Sequence, residues 1–261
     1  MKKTIPIFLV IILLSLTAAT QDSVPELITD RPDQTESSSL VPNKMIQIET
    51  GFVFENNETS NNKLRSYAYN TSLLRYGLMK NLELRMGLEY LGDIAESKSS
   101  NEKNSTSGFS PLYVGFKTKI IEEKDCMPEI AFLGAMTLPF SANENYKPSN
   151  PAANMRFAFS HTLSDQFSLG YNLGAEWDGD STIPGYFYSL ALGIGLSQNL
   201  GMFIESYGLM MEDNNGEHLL DTGFTYLIMP NIQIDISGGL GLNSNAIDHF
   251  ISAGISIRLP R

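Results

Sequence analysis

The chain has 261 residues, of which 18 are lysine or arginine and 29 are aspartate or glutamate, giving a net charge of −11. This acidic balance argues against a nucleic-acid-binding role, because phosphate backbones are bound by basic surfaces. Cys126 is the only cysteine, so no disulfide within the chain can contribute to its stability.

The first 20 residues have the features of a secretory signal peptide. Lys2 and Lys3 precede an apolar run from Ile5 to Leu16, and small residues suited to cleavage follow at 17–19. The apolar run has about 12 residues, whereas a transmembrane helix needs about 20. We therefore predict that residues 1–20 are a signal peptide, whose removal makes the chain more acidic by two charges.

Residues 21–44 are polar and contain Pro25, Pro32 and Pro42, which predicts an irregular segment. Two interpretations of this segment remain open. The first is a flexible periplasmic leader. The second is a plug-like segment folded into or under the mouth of the following domain, with Arg31 paired to an acidic side chain there.

From residue 45 onward the chain is a series of short segments with strand periodicity. In LELRMGLEY, residues 82–90, apolar side chains occupy the even positions, and Glu83, Arg85 and Glu89 occupy odd ones. Alternation of this kind indicates a strand with one apolar and one polar face. Twelve strands are predicted, with the approximate ranges 45–55, 65–77, 82–92, 110–121, 127–139, 154–163, 167–177, 185–198, 201–211, 217–229, 231–242 and 248–260.

The predicted connections alternate in length along the chain. The longer ones are rich in Asn, Ser, Glu and Asp and cover 56–64, 93–109, 140–153, 178–184, 212–216 and 243–247. The tight ones lie at 78–81, 122–126, 164–166, 199–200 and 230–231. Up-and-down barrels of the outer membrane have short turns on one side and longer loops on the other. An even number of strands also places the start of the first strand and the end of the last strand on the same side of the membrane.

The charged face of these strands decides between two β architectures. A soluble sandwich buries its apolar faces, whereas a membrane barrel turns them toward lipid and encloses the polar ones. A Lys or Arg facing the middle of the bilayer costs about 2–4 kcal/mol, so charges on predicted strands are expected to point inward. The sequence predicts an all-β fold, an up-and-down antiparallel transmembrane β-barrel of about 12 strands over residues 45–261.

Two predicted strands depart from this alternation. In 65–77, Asn70 and Ser72 lie on the face opposite Arg75, which should be apolar. In 201–211, Glu205 shares its face with apolar side chains.

The inward phase of the strands supplies the candidate functional residues. Two interpretations stay open: the charges only brace the wall through ion pairs, or they also set the width and solute preference of a lumen. Twelve strands enclose more space than the eight whose side chains just fill a barrel. The lumen-lining candidates are Glu49, Arg75, Glu83, Arg85, Glu89, Lys117, Lys119, Glu129, Arg156, Glu176, Asp235 and Arg258.

Three stretches resemble a known family of outer-membrane barrels. They are ITDRPDQTES at 28–37, MIQIETGFVFE at 45–55 and LLRYGLMKNLELRMGLEY at 73–90. The family is associated with the meta-cleavage pathway of phenol degradation, and the similarity extends over the whole mature chain. The resemblance implies a porin-like or transporter-like barrel that passes small molecules, with aromatic or hydrophobic solutes as candidates. It implies no catalytic residues.

Catalytic motifs are not evident, and we expect the protein not to be an enzyme. A hydrolase of lipids would need a hydroxyl within reach of a histidine, but Ser160 and His161 are adjacent in a strand and point to opposite faces. His218 and His249 lie on predicted strands that are not neighbours, so they do not suggest a metal site. The sequence also lacks a nucleophile elbow, a zincin motif and a phosphate-binding loop. We expect no metal and no cofactor.

These observations predict a barrel of the cell outer membrane that acts as a passive channel or transporter for small molecules. Its expected partners are outer-membrane lipid, the barrel-assembly machinery and a small-molecule solute, with no nucleic acid. The alternatives are a structural or surface-interaction barrel without transport and, third, a lipid-modifying hydrolase.

Overall fold

The computed structural model of the protein describes residues 25–100, 102–212 and 214–260, without the side chains of residues 214 and 215. The predicted signal peptide at 1–20 therefore lies outside the described residues. Two 3-10 turns, Pro139–Ser141 and Glu144–Tyr146, are the helical elements of the described chain. None of its helices is long and apolar enough to cross a membrane.

Almost all of the regular structure in the described residues is β-strand. The strands are β1 (Ile46–Glu58), β2 (Asn62–Met79), β3 (Leu82–Ser97), β4 (Lys103–Phe109), β5 (Leu112–Ile121), β6 (Glu129–Leu138), β7 (Ala153–Thr162), β8 (Phe167–Trp177), β9 (Gly185–Gly195), β10 (Leu200–Met211), β11 (Asn214–Met229), β12 (Ile232–Gly241) and β13 (His249–Leu259). Each of the twelve strands predicted from the sequence corresponds to one of these.

The strands form a closed antiparallel barrel. Apart from β4, which pairs with β3 alone, each strand pairs with the strands next to it in the chain order, and β1 pairs with both β2 and β13, which closes the ring. Twelve strands make this ring and β4 is additional to it. We call the end with the turns 80–81, 122–128, 163–166, 196–199 and 230–231 the terminal end, because β1 begins and β13 ends there. The opposite end is the loop end.

Strands β4 and β5 pair with the same edge of β3, one after the other. Residues 82–87 of β3 pair with β5, and residues 90–96 pair with β4. The break between β4 and β5 falls at Ser110 and Pro111, since proline has no N–H group to continue the ladder. The connection after β6 contacts this break, where Asn143 exchanges two hydrogen bonds with Phe109.

Three predicted connections are wrong in length. Residues 93–109 contain the end of β3 and all of β4, whereas the connections predicted at 56–64 and 212–216 shrink to 59–61 and 212–213. Beyond the apolar band both faces of a strand can carry polar side chains, so the alternation disappears while the backbone pairing continues. Ser66 and Asp93 show this, because they form a 2.6 Å hydrogen bond across β2 and β3 within polar sequence.

The polarity of the barrel is the reverse of that in a soluble protein. The most deeply buried side chains include Arg75, Lys117 and Glu83, each at most 1% exposed, whereas large apolar side chains cover the outside. This is the polarity of a transmembrane β-barrel. Exposed apolar side chains occur around the ring, for example Phe52, Leu84, Phe116, Met136, Phe157, Leu173, Leu190, Ile204, Phe224, Ile236 and Ile251.

The two strands with irregular alternation have separate explanations. In β2 the register shifts between Ala68 and Asn70, so the inward phase that includes Arg75 does not continue past this bulge. Asn70 and Ser72 face outward, where their side chains form hydrogen bonds with Thr50 and with each other. In β10 the mixed face is the inner one.

Candidate functional site

The interior of the barrel is occupied by residues 25–44, which we call the N-terminal segment. This segment has no helix or strand, and its polar groups bind side chains on the inner face of the wall. Its partners come from around the ring: Glu49, Arg75, Glu83, Arg85, Lys117, Glu129, Asn172, Ser189, Glu205, Gln233, Asp235, Ser252 and Arg258.

Arg75 on β2 is the centre of the largest ion-pair cluster. Its guanidinium donates to both carboxylate oxygens of Glu83, at 2.8 and 3.0 Å, and to Glu49 Oε1 at 2.8 Å. Asp30 Oδ2 of the N-terminal segment lies 2.9 Å from Arg75 Nη1. The other oxygen of Glu49 accepts the backbone N–H groups of Asp30 and Arg31 at 3.0 and 3.1 Å. The cluster therefore joins β1, β2 and β3 to the segment.

Asp30 is surrounded by cations from three strands. Besides Arg75, Lys117 Nζ lies 3.0 Å from both of its carboxylate oxygens, and Arg85 Nη2 lies 3.1 Å from Oδ2. Burial alone would raise the pKa of Asp30, but the charges of these cations outweigh it and hold the pKa well below the ordinary value. Asp30 therefore stays ionised and bound to the wall far into the acidic range.

Arg31 binds the wall at β12 and β13, on the other side of β1 from Arg75. Its guanidinium donates at 2.9 Å to Asp235 Oδ1 and to Ser252 Oγ. Room for it comes from Gly51 and Gly254, which are cross-strand partners on β1 and β13, because a Cβ at either position would overlap the guanidinium. An ion pair between Arg31 and an acid of the barrel is what the second interpretation of the segment expects.

The next residues of the segment bind the wall at β8, β9 and β10. Glu205 accepts the backbone N–H of Gln34 at 2.7 Å and also the hydroxyl of Thr35, whose oxygen lies 2.7 Å from the hydroxyl oxygen of Ser189. Asn172 exchanges two hydrogen bonds with the backbone of Glu36, at 2.8 and 2.9 Å. Side chains of the wall thus replace the backbone partners that an irregular segment lacks.

The structure places the twelve candidate residues on the inner face in three groups. Glu49, Arg75, Glu83, Arg85, Lys117, Asp235 and Arg258 bind the segment directly, and Glu129 binds both Ser38 and Lys119. Arg156 and Glu176 pair with each other at 3.2 Å. Glu89 lines open space and makes no ion pair with the described residues.

Sequence reasoning missed several inner-face residues that hold the segment. Glu205 was left out because its neighbours Phe203 and Leu209 are apolar, yet all three occupy the same inward phase of β10. Asn172 and Ser189 are uncharged and carry no signal beyond their phase. Assigning the inner face from phase alone, rather than from charge, would have found all three polar residues.

Two cavities lie on opposite sides of the segment. The first, which we call the chamber, is toward the loop end, has a volume of about 540 Å³ and is lined by Glu36, Arg85, Glu89 and Arg156 among others. The second is toward the terminal end and has a volume of about 370 Å³. Arg31 and Asp33 line both, so the segment separates them at these residues.

Residues 29–259 match the protein family described as "Putative MetA-pathway of phenol degradation". The chain belongs to this family. The match covers the whole barrel and most of the N-terminal segment, including the Arg31 and Asp30 contacts. Among curated proteins, none matches the chain.

Solved structures share the fold of this family member at low sequence identity. An outer membrane channel from Pseudomonas putida F1 superposes with a TM-score of 0.66 at 13% identity, covering 84% of this chain and 97% of that one. The NanC porin gives 0.51 at 10% identity, with coverages of 81% and 98%. The transport unit of the autotransporter AIDA-I from Escherichia coli gives 0.53 at 10%, with coverages of 92% and 94%. At such identities the likeness establishes the barrel fold.

Proposed function

We propose that this barrel lies in the cell outer membrane and acts as a passive channel or transporter for small molecules, with the N-terminal segment as an internal plug-like constriction. One observation carries the proposal. Cavities of about 540 and 370 Å³ lie inside the barrel on either side of the segment, and Arg31 and Asp33 of the segment line both of them. A solute path through the barrel therefore needs a shift of a few side chains rather than an unfolding of the wall.

The membrane location follows from the polarity of the barrel. Apolar side chains outside and charged ones inside suit lipid around the wall and water within it. A signal peptide at 1–20, contact with outer-membrane lipid and insertion by the barrel-assembly machinery belong to this proposal. The terminal end would face the periplasm and the loop end the exterior. The names of the fold relatives, a channel and a porin, support it.

The solute proposal is broad. The family description refers to phenol degradation, which supports aromatic or other small hydrophobic molecules as solutes. A non-enzymatic role is part of the same proposal. The histidine closest to a hydrolase arrangement, His161, stacks against the ring of Tyr171 at 5.9 Å between centroids, on the outward phase of β7. That position suits the lipid boundary.

Conductance of the purified protein in planar bilayers and solute uptake into liposomes test this function. We expect small, fluctuating currents from the native chain and larger ones from Gly254→Ala. The three atoms nearest to the added Cβ all belong to the Arg31 guanidinium, the end of a flexible side chain, so the wall should fold normally.

Gly195→Ala is the matched control for this experiment. It also lies on the inner face, but its Cβ would meet only ordinary contacts, the nearest at 3.7 Å, so the native currents should persist. A folded barrel that shows neither conductance nor uptake, in the native chain and in Gly254→Ala, would replace the channel with a structural or surface-interaction role.

A further inference from the structure

The chamber is lined by a carboxylate, Glu89, that has no ion-pair partner among the described residues. Glu89 on β3 lines it beside Ser110 and Tyr113, its side chain is exposed to the cavity, and it forms no ion pair or side-chain hydrogen bond within the described chain. Gly87, two residues earlier on the same face, packs against the Tyr113 ring and leaves the chamber open at this level. A permeating solute would pass directly by this group.

Each of the three arginines that line the chamber forms an ion pair with a carboxylate other than that of Glu89. Arg31 pairs with Asp235 at 2.9 Å, Arg85 with Asp30 at 3.1 Å and with Glu36, and Arg156 with Glu176 at 3.2 Å. Arg156 also lies over the ring of Phe187, with Cζ 3.7 Å from its centroid. None of these cations is left over to offset Glu89.

The route from the loop end adds charge of the same sign. Asp93 continues the inward phase of β3 beyond Glu89 and is bound by the neutral hydroxyls of Ser66 and Tyr146, at 2.6 and 2.8 Å. Glu55 lies on the inner face of β1, two strands from β3 in the ring, and forms no ion pair within the described residues. Burial and the carboxylate of Glu205 raise the pKa of Asp33 well above its ordinary value, so Asp33 adds less negative charge at the floor of the chamber.

From this arrangement we propose that the chamber selects cationic over anionic solutes and that Glu89 is the residue that sets this preference. A narrow cavity with an excess of one sign of charge concentrates counter-ions and repels co-ions, which is how rings of acidic side chains make cation channels. Neutral solutes pass with little effect from Glu89. The inference rests on the proposed channel function and adds the sign of its selectivity.

Reversal potentials in asymmetric KCl test this, at low ionic strength so that the charges are not screened. We expect a K⁺ preference in the native protein. Glu89→Gln should reduce the K⁺/Cl⁻ permeability ratio by about two- to five-fold, the effect of one unit charge at close range in a hydrated environment. Glu89→Lys should bring the ratio to unity or reverse it, and Arg156→Gln, which removes a chamber cation, should increase it.

Glu122→Gln is the matched control, since Glu122 is exposed in the terminal-end connection 122–128 outside the chamber, and it should leave the ratio unchanged. Uptake of methylammonium relative to acetate into liposomes gives a second readout, and it should rank the variants in the same order as the K⁺/Cl⁻ permeability ratio. A conducting barrel without cation preference, or with the same preference in Glu89→Gln, overturns this inference and leaves the channel standing. A barrel that does not conduct overturns the channel and this inference together.

Discussion

Arg75 illustrates what a single residue does in the interior of this barrel. Its planar guanidinium binds Glu83 through two parallel hydrogen bonds and still reaches Glu49 and Asp30, a geometry that a lysine could not reproduce. The side chain is 1% exposed, so its charge is removed from water and depends on these carboxylates. Loss of the guanidinium would leave three buried acids facing each other.

Arg75→Met should destabilise the barrel by about 3–5 kcal/mol, because it removes one partner of a buried ionic cluster while the others remain. Lys63→Met is the control: Lys63 pairs with Glu58 on the surface at 2.8 Å, and loss of such an exposed pair should change stability far less. Urea unfolding in lipid vesicles, followed by tryptophan fluorescence, measures both. Equal effects of the two variants would contradict the central role of Arg75.

The sequence predicts which charges point inward but not which residues they bind. The period of two places Arg75, Glu83 and Lys117 on one face from local pattern alone. Their partner Asp30 belongs to an irregular segment whose path through the barrel depends on contacts with ten strands of the wall, and no local pattern encodes that path. The spacing within strands is therefore predictable, whereas the pairing across the lumen is not.

At the scale of elements, β4 shows the limit of hydrophobic periodicity. Its sequence, KNSTSGF, has one large apolar residue and no alternation, so it reads as a loop. It is a strand because β3 extends beyond the apolar band and offers seven further residues for pairing, Tyr90–Glu96. In that zone both faces can carry polar side chains, so the backbone pairing with β3 defines the strand without any alternation in sequence.

The N-terminal segment is the element on which the proposed function depends. It is anchored at one side through Asp30 and at the other through Thr35, whose hydroxyl lies 2.7 Å from Ser189 Oγ on β9. Since the segment has no hydrogen-bonded ladder of its own, its position depends on these side-chain contacts. A shift of the segment would break these side-chain contacts but none of the hydrogen bonds between the strands of the wall.

Fixing the segment to the wall should suppress the channel. In a Cys126→Ser background, the pair Thr35→Cys and Ser189→Cys should form a disulfide on oxidation, because the two hydroxyls already lie close enough for bonded sulfurs. We expect the oxidised protein to lose most of its fluctuating current and to regain it with dithiothreitol.

Thr35→Cys alone in the same background controls for the oxidant and for loss of the native hydroxyl. Its current should not respond to oxidation or reduction. If the cross-linked pair conducts as well oxidised as reduced, solutes do not need the segment to move at Thr35.

At the scale of the whole molecule, the fold depends on two complementary surfaces. Pairing of β1 with β13, from Ile46↔Leu259 to Asn56↔His249, closes the twelve-stranded ring. Closure of this kind gives each strand of the ring a partner on both sides. Inside, the acids outnumber the bases, and most bases bind the segment. Outside, an apolar band continues around the barrel. Closure satisfies the backbone, and the two faces determine the solvent on each side.

An arginine scan along the outside of one strand tests this arrangement. Ile236, near the middle of β12, is 53% exposed, and Leu240, near the loop end of the same strand, is 61% exposed. In bilayers, Ile236→Arg should lower the free energy of unfolding by about 2–4 kcal/mol and Leu240→Arg by about 0–1 kcal/mol, since only the first places the charge at the centre of the lipid. In a protein whose outside met water, both exposed substitutions would be nearly neutral. The depth dependence measured by urea titration in vesicles thus distinguishes a lipid-facing wall from a soluble one.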